Sequence, residues 1–89
     1  MNMRHNRRPP LRTSRMVPSR VSLRRGEPVQ VACAVCGRWR LLERGMLRPH
    51  RADDGRTRCP GSGQRITVDE QPEQWLARLR LAERNPSMR

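Results

Sequence analysis

Apolar positions in this chain are short and scattered, and their spacing changes along it. From Val29 to Cys33 apolar and polar residues alternate, with Val29, Val31 and Cys33 on one face, which predicts a short strand. Arg38 to Leu42 alternates again until Gly45 interrupts it, so the two segments flank the Cys36-Gly37 turn as a hairpin. Arg65 to Val68 is the third candidate strand. Residues 46–63 hold Pro49, Pro60, Gly55, Gly61, Gly63 and an Asp53-Asp54-Gly55 turn signal, and are expected to form loop with little regular structure.

The clearest helix comes last. Trp75, Leu76, Leu79 and Ala82 recur at helical spacing, Pro72 suits the first helical position, and Asn85-Pro86 ends the run. Asp69, Glu70 and Glu73 lie near the positive end of its dipole. The apolar stripe is expected either to dock on the hairpin or to grip a partner protein. Residues 1–27 have isolated apolar side chains and are broken by Pro9, Pro10 and Pro18, so they read as a disordered arm. The pattern predicts a small α+β domain: a knuckle hairpin, a third short strand and a C-terminal helix behind a basic arm. The expected divisions are 1–27 arm, 28–68 metal-binding β domain, 69–85 helix and 86–89 tail.

So few apolar residues cannot stabilise the fold unaided. The chain has 89 residues, 34% hydrophobic, with two Trp and no Phe or Tyr. Domains of this size often need a disulfide, a metal or a partner. No apolar run reaches the roughly 18–20 residues of a membrane span, and no apolar stretch follows Arg4, Arg7 and Arg8 as a secretory signal requires. The expected compartment is the cytoplasm. In that reducing setting an odd number of cysteines, here three, points to metal before disulfide.

Cys33-Ala34-Val35-Cys36-Gly37 is a C-x2-C-G turn. Two intervening residues let backbone amides point at both sulfurs, and glycine supplies the positive φ that closes the knuckle. His50 and Cys59-Pro60-Gly61-Ser62-Gly63 follow within the same 27-residue window. Cys33, Cys36, His50 and Cys59 therefore form a candidate Cys3His set for one zinc ion. The eight residues between His50 and Cys59 exceed the usual spacing, so that loop must fold back, with Asp53-Asp54-Gly55 as its turn. Asp53 or Asp54 is the alternative fourth donor, His5 lying in the arm, and an iron–sulfur cluster is the alternative occupant. Structural zinc is worth about 10–16 kcal/mol in small peptides, against about 1.5–3 kcal/mol for each buried apolar side chain. The metal-free chain is expected to be largely unfolded.

From Val31 to Ile66, V-x-C-x-V-C-G-R through H-x8-C-P-G-S-G-Q-R-I, the chain resembles small zinc-finger proteins of actinobacteria and their phages. The resemblance implies a zinc-binding fold with those same four ligands and implies little about activity.

Charge then narrows the function. All 20 basic side chains are arginine and the net charge is +12. Coding bias in a GC-rich genome accounts for arginine over lysine but not for the excess of positive charge. Polyanions are the natural partner. Arg7, Arg8, Arg12, Arg38, Arg40, Arg56 and Arg58 are the candidate nucleic-acid contacts, and Trp39 is expected either to cover the metal or to stack on a base. DNA is favoured over RNA. The alternative is a protein-interaction adaptor using Trp75, Leu76 and Leu79. Four good ligands leave no open metal position, and the deaminase and His-Asn-His patterns are missing, so no catalysis and no small-molecule substrate are expected.

Overall fold

The computed structural model describes residues 4–85; the expected tail at 86–89, with Pro86, lies outside them. The alternation from Val29 becomes strand β3 (Gln30–Ala32), and Arg38–Leu42 becomes β4 (Trp39–Glu43). They pair antiparallel with Gln30 opposite Leu41, Val31 opposite Arg40 and Ala32 opposite Trp39. Directly opposed residues share a sheet face. The side of Val31 therefore carries Arg40, and by alternation Leu42, while Trp39 and Leu41 share the other side with Gln30.

Two further strands extend this hairpin. β2 (Val21–Ser22) pairs with β3, Val21 opposite Val31, and β5 (Met46–Leu47) pairs with β4, Leu42 opposite Leu47. The sheet runs β2-β3-β4-β5. β5 corrects the expectation of bare loop from residue 46. Arg44 and Gly45 both take positive φ (54° and 75°), the geometry a two-residue hairpin turn needs. That turn sends Met46 and Leu47 straight back along β4, and Leu47 becomes buried.

The third predicted strand exists but pairs elsewhere. β6 (Ile66–Thr67) runs parallel to β1 (Leu11–Arg12), Leu11 opposite Ile66, and meets the hairpin through a bridge between Met46 and Arg65 and a hydrogen bond from Ile66 N–H to Gly45 O (2.8 Å).

The largest correction concerns the described part of the expected arm, from residue 4 onward, which is packed rather than disordered. Two 3-10 turns, Thr13–Arg15 and Pro18–Arg20, link β1 to β2. Val21, Leu23, Thr13 and Pro18 are all buried. Isolated apolar residues suffice here because Val21 and Leu23 land in the shared core of Val31, Leu47, Ile66 and Trp75, with Met16 packed against it, although Leu11 and Val17 stay exposed. Several carbonyls of the segment also gain donors. Gln64 Nε2 donates to Pro9 O (2.9 Å), Arg65 Nη2 to Arg8 O (2.9 Å) and Trp75 Nε1 to Pro18 O (3.0 Å).

Helix α1 (Pro72–Arg84) begins at the predicted proline, and Gln71 N–H donates to Gln74 Oε1 at 2.8 Å as a reciprocal cap. Its stripe docks internally, chiefly on the Pro18–Arg20 turn. Trp75 and Ala82 are buried, and Leu76 and Leu79 pack half-buried against the core. Arg78 locks the arrangement. It holds the side chain of Glu70, 5% exposed, through Nε (3.0 Å) and Nη2 (2.7 Å), and donates to the carbonyls of Met16 and Thr13. Among the described residues no helix is long and apolar enough to cross a membrane.

Candidate metal centre

Cys33 follows β3 directly and Cys36 lies in the turn before β4, so the hairpin itself presents the first ligand pair. Cys33 N–H donates to Arg38 O (2.9 Å) and Gly37 N–H to Cys33 O (2.8 Å). Gly37 has φ +75°, the conformation expected of the residue closing the knuckle. Val35 N–H points at Cys33 Sγ from 3.4 Å.

The second pair sits on an excursion that doubles back. Ala52 N–H donates to Thr57 O (2.8 Å), Arg51 bridges to Arg58, and Cys59 N–H donates to His50 O (2.8 Å). Asp54 closes the tip by accepting from Arg56 N–H (2.8 Å), Thr57 N–H (3.0 Å) and Thr57 Oγ1 (2.6 Å). These bonds hold its carboxyl below the usual range, the Thr57 hydroxyl being the strongest cause. The eight-residue gap is thus spanned by a small hairpin, with the anticipated Asp53-Asp54-Gly55 turn at its end.

Cys33, Cys36, His50 and Cys59 converge, with all four ligand atoms within 4.8 Å of one another. Cys33 Sγ and Cys59 Sγ are 3.8 Å apart and the three cysteines are unpaired. That separation is far beyond the roughly 2.05 Å of a disulfide. It matches the sulfur–sulfur edge of a tetrahedron with metal–sulfur bonds of about 2.3 Å, which is about 3.8 Å. Cys33 and Cys59 are fully buried; Cys36 and His50 are half-buried.

The histidine provides the sharpest test of fit. His50 Nδ1 lies 2.8 Å from Arg48 O. A carbonyl only accepts, so Nδ1 carries the proton and Nε2 the lone pair. Nε2 is buried and has no hydrogen-bond partner. An orphaned imidazole lone pair beside three thiols is what a metal ligand with a backbone-anchored ring presents.

The thiols feel opposing influences. Burial pushes the Cys59 thiol up, and Cys33 beside it adds to the rise. At Cys36 burial also pushes upward. It is outweighed by the Arg38 backbone N–H, the neighbouring thiols and the positive charge of Arg40, so the thiol lies below its usual value. A divalent cation would resolve the conflict by stabilising all three thiolates at once.

Two supporting residues had no assigned role in the sequence reading. A Cβ on Gly61 would overlap Cys33 Sγ and approach Cys59 Sγ at 3.6 Å, so only glycine lets this backbone cross the sulfurs. Gly61 N–H also points at Cys59 Sγ from 3.4 Å. Ser62 Oγ accepts from His50 N–H (3.0 Å) and donates to His50 O (3.1 Å), clamping the ligand's backbone. The Cys-Pro-Gly-Ser-Gly motif was visible in sequence, but that its glycine and serine serve the other ligands was not.

The alternative donors lie elsewhere. Asp53 pairs with Arg38 at 3.3 Å, Asp54 caps its turn, and His5 Nδ1 accepts from Arg7 N–H. The candidate nucleic-acid residues are spread over several segments. Arg7, Arg8 and Arg12 are exposed near β1, and Arg56 and Arg58 are exposed on the 51–58 excursion. Arg38, Trp39 and Arg40 adjoin the knuckle on β4; Trp39 is 47% exposed and Arg40 Nε is buried without a partner. Trp75, Leu76 and Leu79, the adaptor candidates, face the chain's own N-terminal segment and core. No protein-family model matches the chain, and no curated protein or solved structure shows significant similarity to it.

Proposed function

We propose that the protein is a zinc-stabilised, non-catalytic module that binds DNA with little sequence preference through its arginines. Zinc is favoured for the metal because three thiolates and one neutral imidazole are a common structural zinc set. Four protein ligands fill a tetrahedral shell and leave no position for water or substrate, which supports a structural rather than a catalytic ion. Three thiolates and a divalent cation leave one negative charge, and Arg40 lies within electrostatic reach of it beside Cys36.

The observation that carries the DNA reading is the surplus of unneutralised arginine. The net charge is +12, and among the described residues only Arg25, Arg38, Arg48 and Arg78 stand in ion pairs with carboxylates. Three of those pairs are exposed and contribute little, so phosphates can compete for their arginines. An adaptor built on Trp75, Leu76 and Leu79 is less favoured, since those side chains already pack within the fold.

Native mass spectrometry with and without chelator is expected to find one zinc ion per chain. Fluorescence anisotropy of the zinc-loaded protein with random duplex DNA is expected to show affinity falling steeply and log-linearly with salt. Binding insensitive to salt, or no binding at low salt to duplex or single-stranded DNA, overturns the DNA reading and leaves the metal reading standing.

A further inference from the structure

We infer that Trp39 is a stacking platform for an unpaired base of single-stranded DNA, with arginines in the grooves on either side holding the flanking phosphates. The inference rests on the DNA-binding reading and adds to it a preference for open strands over duplex.

The two tryptophans have separate fates. Trp75 is 2% exposed, its indole N–H donates to Pro18 O at 3.0 Å, and the Arg24 guanidinium lies 5.3 Å from its ring centroid. It is a core residue. Trp39 is 47% exposed because the β3–β4 register gives the buried face to Val31 and Leu42 and turns Trp39 outward with Leu41. About half of this large aromatic ring stays open to solvent on a surface rich in arginine.

Its surroundings suit a polyanion. Trp39 and Gln30 border two grooves. One, of about 420 Å³, is bounded by Arg24, and the other, of about 320 Å³, by Arg48. No carboxylate lines either groove. Arg48 does reach Glu43, but at 3.6 Å with both side chains more than half exposed, a contact that water and salt weaken readily. A strand crossing Trp39 would lay a base on the ring and place phosphates towards guanidinium groups on both sides. Every base has a π face, so such contact is sequence-tolerant. In a duplex those faces are closed within the stack. Open strands alone can use the ring.

The metal turn sets the platform. Trp39 is three residues beyond Cys36, pairs with Ala32, and follows the Arg38 carbonyl that accepts from Cys33 N–H.

The test uses the full zinc-loaded chain with an oligothymidine and with random duplex DNA. The oligothymidine is expected to quench the fluorescence of the wild type. In Trp39→Phe the quenching is lost, because only buried Trp75 remains to emit, while most of the binding persists. Trp39→Ala is expected to reduce the ratio of single-strand to duplex affinity about tenfold. Unchanged quenching in Trp39→Phe, or an unchanged affinity ratio in Trp39→Ala with zinc content intact, overturns the platform while leaving arginine-driven binding in place. Failure of the wild type to bind either DNA overturns both readings together.

Discussion

Individual residues decide whether the four donors can meet around one ion. Gly61 is the most exacting, because its backbone crosses Cys33 Sγ where no side chain fits. Gly61→Ala is therefore expected to lower metal affinity at least about tenfold, read by competition with a chromophoric chelator. Ser62→Ala removes both hydrogen bonds to the His50 backbone and should weaken binding by about tenfold for the same reason. An affinity equal to wild type in both variants would show that neither residue supports the ligands. The ligands themselves were legible in sequence, since C-x2-C-G with a later histidine and cysteine is a covalent pattern that needs no fold to be seen. The two supports were not. What Gly61 and Ser62 do depends on Cys33 and His50, which come near only when the 51–58 excursion closes.

Segments show where local patterning suffices and where it fails. The period of α1 and its proline start were readable because both are properties of consecutive residues. β5 was missed because two paired residues are too few to show alternation. The signal lay instead in Arg44-Gly45, where a non-glycine residue sits in the left-handed region. Asn tolerates that conformation better than Arg, so Arg44→Asn is expected to stabilise the zinc-loaded protein by about 0.5 kcal/mol, measured by denaturant titration. The link between α1 and the N-terminal segment makes the opposite case. Glu70, with its side chain 5% exposed, is held bidentately by Arg78, which also serves the Thr13 and Met16 carbonyls. Glu70→Ala leaves that guanidinium partly buried without its counter-charge and should cost about 2–3 kcal/mol. A loss no larger than that of an ordinary surface substitution would show that the pair does not brace the helix.

Two consequences belong to the molecule as a whole. Residues 4–26, within the arm expected over 1–27, place Val21 and Leu23 in the core and β1 beside β6. Their removal is therefore expected to unfold the protein rather than trim its charge. Circular dichroism of a chain starting at Glu27 decides this, and a native-like spectrum would refute it. Asp69 extends the same coupling to pH. Its carboxylate accepts from Ser14 Oγ (2.6 Å), Ser14 N–H (2.9 Å) and Thr13 Oγ1 (3.2 Å), and these bonds, that of the Ser14 hydroxyl foremost, lower its pKa. A depressed carboxylate contributes stability that is fully present above its unfolded pKa of about 4. That contribution disappears as pH falls through the lower folded value. Asp69→Asn is thus expected to be less stable than wild type at neutral pH and to show a flatter decline below about pH 4, with metal content followed in parallel.

Several things about this protein were set by the sequence alone: which four cysteine and histidine side chains could share a metal ion, and that a helix with one apolar stripe would follow the strands. These depend on residue type, composition and short-range spacing, which are the same in the unfolded chain as in the folded one. Only the tertiary structure decided that the basic N-terminal segment contributes Val21 and Leu23 to the core, that the helix docks on that segment, and that of two tryptophans one is buried and the other half-exposed. Those outcomes turn on strand register and on which distant surfaces meet, where a shift of one residue exchanges inside for outside.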